Sequence, residues 1–421
     1  MLALVACTPA SAERETTVRF WAMGREGEVV AELIPEFERR NPGVRVRVQQ
    51  IPWTAAHEKL VTAVVGDATP DVAQLGNTWV PEFQALDAIE PLDARVAASA
   101  LVPRDDFFSG IWDTNVIDGV TYGIPWYVDT RILFYRSDLL AAAGVRTPIR
   151  SWEAWKDGMR AVQRSGGARW GILLPTNEYT PPIVIALQTG AQLVRDGGRA
   201  GAFRDPEFRR AFEFYISLYR DGLAPTISST QVANIFQQFA DGEFAMYITG
   251  PWNVGEFDRR LPASMRGRWA TMPLPAPDGN FPGISSAGGS SLVLFKESRH
   301  QAEAWRLIEF LSEPAQQLRF ARLTGDLPAR RSAWQDSALI GDARLRSFYE
   351  QLQHVRPTPP IPEWEQISTK IMEYVEAAAR GRLTTDRAVA ALDADVDRML
   401  QKRRWLLDRR ARTAPAAGGA R

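Results

Sequence analysis

Tryptophan recurs just past the end of apolar, β-rich runs in this chain. Thr17-Val18-Arg19-Phe20 leads to Trp21, and Val44 through Ile51 leads to Trp53. Asp71-Val72-Ala73-Gln74-Leu75 leads to Trp79, and Gly123-Ile124-Pro125 leads to Trp126. Ala245-Met246-Tyr247-Ile248 leads through Gly250-Pro251 to Trp252. If those runs are strands of open α/β sheets, their carboxyl ends line a crevice where such folds bind ligands. An indole offers a flat apolar face and one N–H donor. Such a rim suits a flat, C–H-rich, hydroxylated ligand, which means a sugar. For any one of these rings taken alone, packing in a core is the stronger explanation.

Motifs for bond-breaking chemistry are absent. The chain has no Gly-x-Ser-x-Gly elbow, no Walker loop, no Gly-x-Gly-x-x-Gly and no His-Glu-x-x-His. Asp393-x-Asp395-x-Asp397 lacks the glycine and terminal glutamate of a calcium loop and lies in a helical run, where it reads as a solvated face. Glycoside hydrolysis needs two carboxylates about 5–10 Å apart, and no pair stands out among the 50 acids. His57, His300 and His354 have no ligand-spaced neighbour, so neither a metal nor a cofactor is expected.

The elements that must position these residues alternate. Val18–Trp21 reads as a strand and Glu28–Arg40 as a helix striped by Val29, Leu33, Ile34 and Phe37, stopped by Asn41-Pro42-Gly43. Val44–Ile51 alternates as a half-exposed strand does. A helix over 55–65, a strand from Pro70-Asp71 and a helix from Trp79 follow. The spacing predicts a mostly parallel sheet with right-handed crossovers. Ile124 to Tyr135 reads as one long strand. Further strands are expected at 170–174, 244–248 and 291–295, with helices at 205–221 and 232–239. After Phe295 the chain is almost wholly helical.

At 421 residues the chain is too long for one core, so two lobes are expected. Lys plus Arg and Asp plus Glu are both 50, so no net field would gather nucleic acid or an acidic membrane. The only cysteine is Cys7, which rules out a disulfide framework. Leu4-Val5-Ala6-Cys7 resembles the lipobox of bacterial lipoproteins, in which that cysteine is lipidated. Ala10-Ser11-Ala12 also fits a signal-peptide cut after Ala12. Either reading makes residues 1–15 a leader remnant, its charged start truncated, and exports the protein to the periplasm or the outer face of the membrane. Residues 406–421 are expected to form a disordered tail.

Five segments carry a family resemblance. They are Phe20-Trp21-Ala22-Met23-Gly24 with Glu28; Pro70-Asp71-Val72 through Trp79; Tyr122 through Asp129; Phe239 through Met246 on to Gly250-Pro251-Trp252; and Gly288-Gly289 before Ser291–Phe295. In order and spacing the chain resembles the substrate-binding proteins of carbohydrate ABC importers, the family of maltose- and trehalose/maltose-binding proteins. The likeness covers roughly Thr16 to Leu400. It implies an α/β periplasmic-binding-protein fold, with two lobes joined by hinge strands and the ligand cleft between them. The N-lobe would be residues 16–127 plus 285–328, and the C-lobe 128–284 plus 329–405. Crossings are implied near 127–130, 282–286 and 327–331.

The resemblance also implies site residues. Gly24 and Glu28 match the family's first ligand loop, and Trp79 an aromatic after the third strand. Tyr127 and Asp129 match a Tyr-x-Asp at the hinge; an acid in so apolar a run needs a partner if buried. Tyr179 and Trp252 match aromatics that stack on sugar rings. Gly288 and Gly289 would let backbone N–H groups approach the ligand. Arg356 matches an arginine that forks onto sugar oxygens. Trp364 lies about a turn before the family's aromatic. Trp53 matches no ligand motif and stays undecided. Trp152, Trp155, Trp269, Trp305, Trp334 and Trp405 read as packing residues.

The implied function is capture of a di- or oligosaccharide, with an α-glucoside such as trehalose or maltose favoured by Glu28, Tyr127, Asp129, Trp252 and Arg356. The implied partners are the permease subunits of an importer with a cytoplasmic ATPase, met by a monomer without catalysis. The alternatives are a secreted glycoside hydrolase, or a glycerol-phosphodiester or polyamine binder of the same fold.

Overall fold

The computed structural model describes residues 15–413. Two sheets organise the chain. The first has six strands. Its parallel part is β1 (Thr16–Met23), β2 (Val44–Ile51) and β3 (Val72–Gly76), with β1 paired to both others. β4 (Ile124–Asp129) enters the same sheet. The second sheet is built from β5 (Ile132–Tyr135), β6 (Trp170–Leu173), β7 (Phe244–Thr249) and β8 (Ala270–Met272), in the order β8-β5-β7-β6. A short β9 (Ser285–Ser286) precedes β10 (Gly288–Leu294), which returns to the first sheet between β3 and β4. β11 (Leu327–Pro328) closes that sheet beside β4, and β12 (Val355–Arg356) pairs in parallel with β9.

The long strand expected over 124–135 is two strands in two sheets. Thr130 and Arg131 break it, and the strand pairing changes from β10 and β11 to β7 and β8. An uninterrupted β-rich run reads as one strand from sequence, because only the pairing partners distinguish the halves.

The third crossing falls later than expected. Arg330 stays on the first lobe, where its guanidinium donates to Asp106 Oδ2 and to the carbonyls of Leu101 and Ser312. The chain reaches the second sheet at the helix Ala343–Leu352, where the Thr271 hydroxyl donates to the Arg344 carbonyl. That helix also joins the lobes behind the cleft. Its Phe348 meets Phe134 edge-on at 6.2 Å, and its Tyr349 meets Phe108 at 5.8 Å.

The longest helices that escape the sequence reading are Thr180–Gln188 and Trp252–Arg260. Ile183 through Leu187 are all buried, so the first of these shows no polar face and no 3.6-residue period. The chain is helical through Thr413, past residue 406 where a structureless tail is expected. The leader segment and Cys7 lie outside the described residues.

Candidate ligand-binding site

A cavity of about 1050 Å³ lies where the carboxyl ends of β1–β4 meet the carboxyl end of β7. That is the upper end of the range of about 300–1,000 Å³ typical of small-molecule sites.

On the first lobe, Gly24 takes φ +46° and opens the helix Gly24–Val29 directly from β1. A side chain at Gly24 would come within 2.8 Å of the Trp53 ring, so the bare glycine lets that indole fold over the turn. Glu26 in this first turn is buried and lines the cavity. Its carboxylate accepts from the Tyr127 hydroxyl at 2.8 Å and from Trp53 Nε1 at 3.4 Å.

The expectation for Glu28 is corrected. It lies outside the cavity lining, exposed, and is bonded to Arg25 and to Gln50 Nε2. The helix begins at Gly24, four residues before the expected start. Two residues along a helix rotate by about 200°, so positions 26 and 28 face opposite ways. Gly24 itself also stays behind the lining; its carbonyl accepts from Gln50 Nε2.

Trp53 and Trp79 form a joint aromatic wall, edge to face at 5.7 Å. Trp53 is 37% exposed, which leaves ring surface open to the cavity. Trp126, by contrast, is 1% exposed and stacks on Phe320 at 4.2 Å, as core. Trp21 packs under the Lys59 ammonium at 4.9 Å, outside the lining.

Tyr127 and Asp129 reach the cavity from the end of β4. The Tyr127 hydroxyl is bonded to Glu26, Gln74 and Ser290 together. Asp129 pairs with Arg131 at 3.1 Å, and burial lifts its carboxyl above the usual range while Arg131 opposes the rise. Arg131 also lies over the Trp252 ring, 4.6 Å from its centroid. Trp252 and Tyr179 form the aromatic side of the second lobe.

Gly288 and Gly289 line the cavity, and their lack of side chains has a local cause. A Cβ on Gly289 would lie 2.2 Å from the Tyr127 carbonyl oxygen, and one on Gly288 2.5 Å from that of Asp129. The two glycines let β10 lie against the end of β4 and so hold the Tyr-x-Asp in place.

Arg356 is likewise corrected. It lies outside the lining, in β12, where its carbonyl accepts from Ala287 N–H. Its backbone steadies Ser286 and Ala287, which do line the cavity. Thr358, two residues on, reaches the lining instead. Trp364 does line the cavity, 1% exposed and with a buried Nε1 that has no hydrogen-bond partner. The adjacent Glu365 also lines it, and burial raises its carboxyl, opposed by a Thr78 hydroxyl bond.

Sequence reasoning missed Glu26, Arg131, Asp326 and Glu365. Glu26 and Arg131 sit within two residues of positions it named, Glu28 and Asp129. Asp326 and Glu365 carried no motif signal. Among the described residues no cluster of acidic, histidine or cysteine side chains could hold a metal ion.

Two α/β lobes, a cavity between them and rings facing it from both sides define a two-lobed ligand-capture protein. The comparisons with known proteins agree. The family described as bacterial extracellular solute-binding protein matches residues 23–318, and this chain belongs to that family. It is similar to the sugar-binding protein MalE of the phytopathogen Xanthomonas citri, with 49% identity and a TM-score of 0.90 over 93% of this chain and 99% of that one. A putative binding protein of Brucella abortus is 25% identical over 96% of each chain. The diacetylchitobiose-binding protein DasA of Streptomyces coelicolor is 23% identical over 88% of this chain and 87% of its own. The likeness to carbohydrate importer binding proteins and the periplasmic-binding-protein fold, both expected from the five motifs, therefore stand.

Proposed function

We propose that this protein is the substrate-binding component of a carbohydrate ABC importer and captures a di- or oligosaccharide in the cavity between its lobes. The observation that carries the reading is that aromatic rings from both lobes, Trp53 and Trp79 from the first and Trp252 and Tyr179 from the second, line one cavity together with carboxylates and arginines. Rings shed water onto the C–H faces of a sugar. Glu26, Asp129 and Arg131 satisfy its hydroxyls, and a buried hydroxyl left unpaired costs about 1–3 kcal/mol.

An α-glucoside such as maltose or trehalose is the favoured ligand. Glu28 and Arg356 no longer support that choice. Trp252, Tyr127 and Asp129 do, together with the 49% identity to a sugar-binding MalE. The ligand bridges the lobes and shifts the population towards a closed form, which an exported, monomeric protein delivers to the membrane permease. No bond is made or broken.

Calorimetric titration against a panel of di- and oligosaccharides tests this. Saturable heat with maltose or trehalose is expected, with no glucose released on incubation. No heat with any of the panel would defeat the saccharide reading, and catalytic turnover would make the protein a hydrolase.

A further inference from the structure

Asp326 follows the helix Pro314–Thr324 and lines the cavity while only 8% exposed. Two other acids face it: Glu26, from the first turn after β1, and Asp129, at the end of β4. Each of these has a polar partner. Asp129 has Arg131 at 3.1 Å, and Glu26 accepts from Tyr127 and Trp53. Asp326 has no ion-pair partner among the described residues. Its local partner is Thr324, whose hydroxyl also accepts from the Asp326 N–H at 3.0 Å. A Cβ placed on the neighbouring Gly325 would lie 3.7 Å from the Trp252 Cα, so Asp326 stands where the two lobes approach. Arg25, Arg259 and Glu256 line the same cavity; Glu256 is paired with Arg259.

We propose that Asp326 meets the ligand as a neutral carboxylic acid and donates a hydrogen bond to a ring, glycosidic or hydroxyl oxygen of an uncharged saccharide. It thereby acts as a specificity-determining residue that reads acceptor oxygens of the ligand. This rests on the saccharide reading above and names which wall reads the ligand's acceptors. A buried acid beside two others ionises poorly, because neither solvent nor a cation offsets the added charge. Burial, with Glu26 and Asp129 beside it, pushes the Asp326 carboxyl up to about 8. At neutral pH the wall therefore presents a donor from Asp326 beside the carboxyl oxygens of Glu26 and Asp129. A sugar hydroxyl network needs both kinds of partner.

The test is calorimetry with maltose and trehalose between about pH 6 and pH 9.5. Affinity should be flat in the lower part of the range. Above about pH 8 the dissociation constant should rise by up to about tenfold per pH unit, with uptake of up to one proton per ligand bound. Asp326→Asn keeps an N–H donor and should hold affinity within about threefold while abolishing the alkaline fall. Asp326→Ala should weaken binding more than about tenfold at neutral pH. If the alanine variant does not fold, the wild-type and asparagine profiles decide. A flat wild-type profile in a protein that binds sugar would overturn the inference. So would an alkaline fall unchanged in Asp326→Asn. Absence of binding to every sugar at every pH removes the saccharide reading, and this inference with it.

Discussion

Asp129 and Arg131 meet at 3.1 Å on either side of Thr130, where the chain leaves the six-stranded sheet for the four-stranded one. The pair sits on a hinge strand and faces the cavity, so one contact serves both joint and site. Arg131 extends it by covering the Trp252 ring. The acid that an apolar run cannot bury alone thus finds its cation two residues away, on the far side of the crossing.

Arg131→Met should therefore destabilise the unliganded protein by about 1–3 kcal/mol at neutral pH, a buried-pair value reduced for partial exposure. The Asp129 carboxyl is raised in the folded state, so its contribution is present at low pH and lost as pH rises through the raised value. Without Arg131 that value rises further. The deficit should shrink as the pH is lowered and Asp129 protonates, read by urea denaturation at several pH values. A deficit independent of pH would mean that Arg131 acts by packing alone.

Glu26 and Glu28 separate the cavity from the surface. Glu26→Gln should weaken saccharide binding about tenfold, about 1.4 kcal/mol, because the carboxylate already holds Tyr127 and Trp53 in place. Glu28→Gln should leave affinity within about twofold, since an exposed ion pair contributes little. Equal losses in the two variants would return Glu28 to the site.

Trp252→Ala should cost binding more than about tenfold through the lost ring face. Its indole is only half-buried in the open cavity, so the melting temperature of the unliganded protein should change by no more than about 2 °C. A large drop would place Trp252 in the core.

His57 gives a second pH signature. A hydrogen bond to Glu82 raises its pKa from 6.5, against the pull of burial, while its ring also packs on Trp79 at 5.1 Å. The stabilisation is complete below that ordinary value and is lost as pH rises through the raised one. Both side chains are partly exposed, so the effect is small. His57→Gln should remove a decline of about 1 °C in melting temperature between about pH 6 and pH 8. An unchanged decline would assign it to other groups.

Much of the frame was legible in the amino-acid order. Strand-end indoles, the Tyr-x-Asp and the paired glycines are local patterns, and β1 through β3 lie where alternation and Asn41-Pro42-Gly43 put them. Helix Thr180–Gln188 was not legible, because a helix buried on all sides has no periodic face. The break at Thr130 was hidden too, since both halves are equally β-rich.

The sequence by itself determined the two-lobed fold, the family and which aromatic positions fall at strand ends. Only the tertiary structure decided which side chains face the cavity. Helical phase is set by where the helix starts, and a start at Gly24 turns Glu26 inward and Glu28 outward. Charge state depends on neighbours far away in the chain: Asp326 owes its raised carboxyl to burial and to Glu26 and Asp129, about 300 and 200 residues earlier. Of the five strand-end indoles, Trp53, Trp79 and Trp252 line the cavity, whereas Trp126 is core. That division follows from ring orientation against Phe320 or open space, which spacing along the chain does not encode.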